Sequence, residues 1–265
     1  MLFLVLALVI LSGCKKAECQ TSSDCSSKTC SVSKCEEKTC VYTPQANCCG
    51  NGVKDAIESG LQGNECTCPQ DYGKCEGIPK IKVGVREEDA VYAKYLCNNF
   101  NQCVLGVESQ EIAAQNFLDS IIVGFFKASS VVRYNKPFDM SKDSFEFKIT
   151  LDDANKDLVL PLRITSIRVL FNGQNSRSEL LVAEKSLNSI INNIGESVTI
   201  FVPLNLNYKP EEVEESGSMR YTIDYNYLKE VPSGVNPDGS TSTKLETVRE
   251  KYTSPAKQVF FVKTG

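Results

Sequence analysis

The chain has 265 residues, a net charge of −4 and 42% hydrophobic residues. That length allows one or two folded cores, and the mild acidic charge without a basic stripe argues against nucleic-acid binding. The sequence contains no histidine, which excludes Ser-His-Asp and Cys-His nucleophiles and every histidine-ligated metal site.

The first predicted element is an apolar segment over residues 2–11. It is too short for a transmembrane helix, which needs about 20 apolar residues, but it fits the apolar region of a signal peptide. The residues that follow, LSGC at 11–14, resemble the prokaryotic lipobox. That resemblance implies removal of a 1–13 signal peptide, diacylglycerol on Cys14 and a membrane-anchored lipoprotein at the cell surface or in the periplasm. The alternative is an ordinary signal peptide followed by a chance cysteine.

The cysteines define the next region, residues 14–77. The chain has 13 cysteines, of which 11 lie within the first 75 residues. An odd count in an exported protein needs an explanation, and a lipid on Cys14 leaves an even set that can pair completely. Such density is typical of disulfide scaffolds in oxidising compartments, so we predict a disulfide-rich module. The candidate disulfide cysteines are Cys19, Cys25, Cys30, Cys35, Cys40, Cys48, Cys49, Cys66, Cys68, Cys75, Cys97 and Cys103.

The later part of this region resembles a repeat found in many prokaryotic surface proteins. Residues 48–75 are CCGNGVKDAIESGLQGNECTCPQDYGKC, which is similar to the repeat CGNG…E.GE.C..CP.DC. Tyr72 stands where that repeat usually has a cysteine. The resemblance implies a surface module and names no reaction.

Two kinds of metal site can be considered in the same region. Oxygen ligands on a cross-linked loop, which suit Ca²⁺, are offered by Asn51, Asp55, Glu58, Glu65 and Asp71. We treat these residues as candidates for a weak extracellular calcium site, the alternative being solvated carboxylates. Zinc on pairs such as Cys66 and Cys68 is disfavoured, because thiolate ligands require reduced cysteines. No other cofactor is expected.

Residues 78–265 show the alternation that is typical of half-buried strands. Phe145, Phe147 and Ile149 alternate with Glu146 and Lys148, and a period of two places the apolar side chains on one face. The same alternation recurs at 167–171, 204–208 and 221–227, and QVFFV lies close to the end of the chain. Strands separated by Gly, Asn, Asp and Pro turns predict an antiparallel β-sandwich.

Three segments of this region carry more specific expectations. Residues 187–194 are predicted as a short helix, and residues 111–126 fit either a helix or a strand. Cys97 and Cys103 flank the segment NNFNQ, so we predict that one disulfide joins them and closes a hairpin-like loop between two strands.

The stretch 145–208 resembles the sandwich of water-stress and late-embryogenesis-abundant domains. The parallels are the segments ITSIRVLFNG, LLVAEKS and IGESVTIFVPL. This resemblance implies an immunoglobulin-like β-sandwich, and that family brings no catalytic residues to this chain.

The sequence as a whole favours a structural or binding role over catalysis. The segment SVSK at 31–34 matches the S-x-x-K motif by letters, but it lies among cysteines rather than on a helix of a packed domain. We therefore predict no catalytic residue. The expected partners are the membrane, through the lipid, and a protein or a cell-surface polymer. Two alternatives stay open: an extracytoplasmic hydrolase with carboxylates in the sandwich, and a cysteine-rich inhibitor or receptor ligand.

Overall fold

The computed structural model describes residues 16–205 and 208–264. Cys14 and the predicted signal peptide lie outside the described residues. The described chain forms two compact units, one of residues 16–75 with 97–103 and the other of residues 76–96 with 104–264. We call the first unit the Cys-rich module and the second the sandwich. The boundary predicted at residue 77 placed the loop 97–103 in the sandwich, whereas this loop packs with the Cys-rich module.

The Cys-rich module is built from short hairpins and turns. Its elements are a 3-10 helix at Ser22–Asp24, strands β1 (Ser31–Glu36), β2 (Thr39–Pro44), β3 (Ile57–Glu58) and β4 (Leu61–Gln62), and helix α1 (Pro69–Tyr72). Strand β1 pairs with β2 and β3 pairs with β4, both antiparallel. Its buried hydrophobic residues are the cysteines Cys19, Cys25 and Cys68. Cross-links therefore take the place of an apolar core, as in other small disulfide-stabilised domains.

All twelve candidate cysteines are paired in the structure. The disulfides are Cys19–Cys35, Cys25–Cys40, Cys30–Cys48, Cys49–Cys68, Cys66–Cys97 and Cys75–Cys103. The predicted pairing of Cys97 with Cys103 is wrong, because Cys97 bonds to Cys66 and Cys103 bonds to Cys75. That prediction relied on closeness in sequence, whereas the two observed bonds span 31 and 28 residues.

The remaining strands lie after residue 79. Four short strands come first, β5 (Lys80–Val83), β6 (Arg86–Asp89), β7 (Lys94–Cys97) and β8 (Cys103–Gly106), followed by a 3-10 helix at Ser109–Glu111. The longer strands are β9 (Ala113–Val123), β10 (Phe126–Lys136), β11 (Phe138–Asp139), β12 (Ser144–Ala154), β13 (Leu158–Gly173), β14 (Leu180–Ile191), β15 (Ser197–Pro203), β16 (Glu214–Val235), β17 (Thr241–Thr253) and β18 (Lys257–Val262).

The longer strands form two sheets. The first has the order β15-β12-β10-β9, and the second has the order β11-β18-β16-β13-β14 with β17 paired to β16. Apart from the short parallel contact of β11 with β18, the pairs are antiparallel. Strands β10, β12 and β15 correspond to A, B and E of an immunoglobulin domain, and β18, β16 and β13 correspond to G, F and C. The predicted fold class, mainly β with an immunoglobulin-like sandwich, is confirmed.

One hydrophobic core joins the inner faces of the two sheets. Phe147 on β12 lies with its ring centroid 5.1 Å from that of Tyr221 on β16, and Phe126 on β10 lies 5.5 Å from Tyr225 on β16. Phe145, Phe147, Ile149 and Leu151 are fully buried, as their alternation predicted. This core fixes the strands whose ends and edges carry the sites described below.

Two expectations about secondary structure are resolved. Residues 187–191, predicted as the start of a helix, continue strand β14, and Ile191 pairs with Leu162 across the ladder to β13. Within residues 111–126, which fitted either type, Glu111 ends the 3-10 helix, Ala113–Val123 form β9 and Phe126 begins β10. In both segments, pairing with a long neighbouring strand outweighs local preference.

Candidate functional site

A cleft lies at one end of the sandwich. Its cavity volume is about 130 Å³, below the range of roughly 300–1,000 Å³ that is usual for drug-sized ligands. Its walls come from three segments: strand β5, the loop that follows β13, and residues 208–216 that lead into β16. Its apolar surface is provided by Ile81, Val83, Phe171, Leu180 and Tyr208. We call this site the end cleft.

Hydrogen bonds hold the walls of the end cleft together. The Asn175 side chain accepts a hydrogen bond from the Gly84 N–H at 2.7 Å and donates one to the Lys82 carbonyl at 2.7 Å. The Gln174 N–H donates to the Ser216 carbonyl at 3.0 Å. The β5–β6 hairpin and the loop after β13 are therefore fixed to the sandwich, so the cleft is largely preformed.

The carboxylates of two adjacent glutamates of the end cleft accept hydrogen bonds from within the protein. Glu214 is only 2% exposed and accepts hydrogen bonds from the backbone N–H groups of Val91, Tyr92 and Ala93 at 3.0, 2.8 and 2.9 Å. Glu215 accepts from the Tyr208 hydroxyl at 2.6 Å. Burial, together with this bond to Glu215, raises the pKa of Tyr208 well above its ordinary value. These groups hold the cleft in shape and are poorly placed for acid–base chemistry, which needs a group free to exchange a proton.

The polar groups left at the mouth of the end cleft suit binding. Lys82 and Lys209 line the cleft, and within residues 16–205 and 208–264 neither ammonium forms an ion pair. Two free cations beside an apolar floor can hold a ligand that combines an anionic group with an apolar body. The sequence alone does not predict this site, since the cleft forms only when three segments that are distant in sequence meet.

A second polar cluster lies inside the sandwich, at the edge formed by β9. Asp119 on β9 is buried and accepts a hydrogen bond from the Tyr221 hydroxyl at 2.8 Å. Lys257 on β18 places its Nζ atom 3.0 Å from the other carboxylate oxygen. Burial, together with the Asp119 carboxylate, raises the pKa of Tyr221. The cluster joins the two sheets through an ion pair between the buried Asp119 carboxylate and the partly exposed Lys257 ammonium.

The five calcium candidates do not converge in the structure. Asp71 accepts hydrogen bonds from the N–H groups of Gly50 at 2.6 Å and Gly52 at 2.8 Å, and the bond from Gly50 lowers the pKa of Asp71. Asp55 accepts from the Asn51 side chain at 3.0 Å. Glu65 is exposed. Among the described residues, no three acidic or cysteine side chains that include Asp55, Glu58 or Glu65 bring their ligand atoms within 4.8 Å of one another.

Glu58 is the exception among these candidates. It is only 1% exposed, and its Oε1 atom accepts a hydrogen bond from the Asp55 N–H at 3.0 Å. Its Oε2 atom is buried without a hydrogen-bond partner. A buried carboxylate oxygen without a partner is costly, which distinguishes Glu58 from the other candidates. The candidate cysteines, in contrast, offer no thiolate for zinc because all twelve are in disulfides.

Comparisons with models of known protein families, with curated proteins and with solved structures found no match to this chain. Within the described part of the chain, no helix has the length and apolar character needed to cross a membrane.

Proposed function

We propose that this protein is a lipid-anchored extracytoplasmic protein that presents an immunoglobulin-like sandwich for binding. The observation that carries the proposal is the set of six disulfides, which uses every cysteine of the described chain. Such complete oxidation is typical of proteins that mature outside the cytoplasm. Cys14 is the one cysteine outside this set, and it lies in the lipobox-like segment LSGC.

A binding role is supported by the chemistry of the end cleft. Hydrogen bonds hold the buried Glu214 carboxylate, the partly exposed Glu215 carboxylate and the Tyr208 hydroxyl. The apolar surface of the cleft and the Lys82 and Lys209 ammonium groups remain open to a ligand. The partner we propose is a protein or a cell-surface polymer with an anionic group. A hydrolase, in comparison, would need a carboxylate free to accept or donate a proton.

Lipid attachment is tested by replacing Cys14. In a host that processes lipoproteins, we expect the wild-type chain to enter the detergent phase of a detergent partition and the Cys14→Ala chain to stay in the aqueous phase. Two acyl chains anchor a protein stably, whereas the two lysines that follow Cys14 add little attraction to a membrane. Lys16→Ala, which keeps the cysteine, serves as the matched control and should partition like the wild type. Equal partitioning of wild type and Cys14→Ala would overturn the anchor.

A further inference from the structure

Strand β9 is a free edge of the first sheet. Among residues 16–205 and 208–264, it pairs with β10 on one side and with no strand on the other. Its ladder to β10 runs without a bulge through eleven residue pairs, from Ala113 to Val123. A long regular edge strand presents unpaired N–H and C=O groups that can pair with another chain.

Strand β9 lacks the features that usually prevent such pairing. Its outward-facing residues are Ala114, Asn116, Leu118, Ser120 and Ile122. None of them is charged, and Leu118 and Ile122 are 69% and 77% exposed. The only charge on the strand, Asp119, points into the sandwich and is neutralised by Lys257. Lysines, prolines and bulges, the common protections of an edge, are absent from β9.

The edge strand at the other side of the same sheet is protected. The Lys185 side chain on β14 donates a hydrogen bond to the Phe201 carbonyl of β15 at 2.9 Å. The Asn205 N–H, just after β15, donates to the Val182 carbonyl of β14 at 2.6 Å. Strand β15 also ends at Pro203, which has no N–H to offer. The contrast identifies β9 as the edge left open for a partner.

We propose that β9 pairs antiparallel with β9 of a second copy of this chain, about a two-fold axis through Leu118. Leu118 is the midpoint of the strand, since five residues precede it from Ala113 and five follow it to Val123. Pairing about this residue therefore uses the whole strand. It joins two four-stranded sheets into one continuous sheet of eight strands.

The outward face of β9 is complementary to itself in this register. Leu118 opposes Leu118 of the second copy, Ala114 opposes Ile122, and Asn116 opposes Ser120. Apolar residues thus face apolar residues, and polar residues face polar ones, which is the arrangement that stabilises cross-strand pairs. A second copy is the occupant that this pattern fits, because the same alternation must be present on both strands of an isologous interface.

Neighbouring registers are less favourable. An axis through Asp119 would set Leu118 against Ser120 and Asn116 against Ile122, so apolar residues would face polar ones. An axis through Ser120 would leave only residues 117–123 paired within β9, a loss of four of its eleven residues. The polarity pattern and the strand length therefore both select Leu118.

Single cysteine substitutions test the register in the full chain carrying Cys14→Ser, in which every other cysteine keeps its disulfide. In Leu118→Cys the two new thiols would face each other at a Cα separation of about 4.5–5.5 Å, within the reach of a disulfide. We expect covalent dimers of Leu118→Cys under mild oxidation. Ile122→Cys, whose two thiols would lie about 27 Å apart along the strands, should stay monomeric on a non-reducing gel. Cross-linking of Ile122→Cys but not Leu118→Cys would overturn the register.

The dimer itself is tested by light scattering after gel filtration. We expect the chain carrying only Cys14→Ser to have twice its 29.2 kDa mass, and Leu118→Lys to weaken dimerisation by about tenfold or more, because two ammonium groups would meet at the axis. Phe201→Lys is the matched control, since Phe201 is 53% exposed on the same outward face at the protected edge. It should remain a dimer. A monomeric parent chain at the highest concentration reached, or a Leu118→Lys chain that dimerises as well as the parent, would overturn the proposal.

Discussion

Replacing Phe147 with Asp should abolish cooperative unfolding of the sandwich, whereas Lys148→Asp should leave the protein close to wild type. Phe147 is fully buried between the sheets, where an added carboxylate would have no partner. Burying an unpaired charge costs several kcal/mol, so we expect a loss above about 4 kcal/mol, a large part of the stability of an ordinary domain. Lys148 is exposed on the outward face of the same strand, where substitutions usually change stability by about 0.5 kcal/mol or less.

Thermal melting of the oxidised full chain, followed by circular dichroism, measures both variants. The full chain is the right material because a fragment starting at residue 78 would retain Cys97 and Cys103 without their partners Cys66 and Cys75. We expect a sharp transition for the wild type and for Lys148→Asp, and none for Phe147→Asp. Equal tolerance of the two substitutions would mean that the register of β12 is wrong.

The sandwich could be predicted from sequence because its strands carry a period-two signal. The alternating residues of β12, β13 and β16 are the ones that the core buries, among them Phe145, Val169 and Ile223. Where the signal was weak, the prediction was less exact. Strand β14 has Leu187, Ser189 and Ile191 at alternating positions, so a polar serine interrupts its apolar alternation. This segment forms a strand because it pairs with β13. A single sequence does not reveal such a neighbour.

The candidate sites were harder to predict, since they depend on contacts between distant residues. The Glu214 carboxylate accepts hydrogen bonds from backbone N–H groups more than 120 residues away in the sequence. No local sequence motif predicts such a contact. Disulfide connectivity was equally hard to predict, because the spacing of the cysteines alone does not determine it. The segment 209–218, KPEEVEESGS, is acidic, yet β16 begins within it at Glu214, whose side chain is buried. The acidic composition of that segment suggested solvent exposure, but hydrogen bonds compensate the burial of this carboxylate.

Lys257→Met should destabilise the sandwich by about 3–5 kcal/mol, the usual cost of leaving one partner of a buried ion pair without its counter-charge. Lys257 provides the ammonium group 3.0 Å from the buried Asp119 carboxylate. After the substitution, the hydrogen bond from the Tyr221 hydroxyl would be the side-chain contact that remains to this carboxylate. Methionine has a similar volume, so the loss reports mainly on charge. Chemical denaturation of the oxidised full chain measures it as a fall in the free energy of unfolding.

Removing the second charge should recover most of this loss. The double variant Asp119→Asn with Lys257→Met no longer buries a charge, and replacing a buried ion pair by neutral residues is often close to neutral for stability. Arg220→Met, which removes an exposed cation 3.6 Å from Glu179, should cost about 1 kcal/mol or less. Equal losses for Arg220→Met and Lys257→Met, or a double variant less stable than either single one, would show that the Asp119 carboxylate is not buried as described.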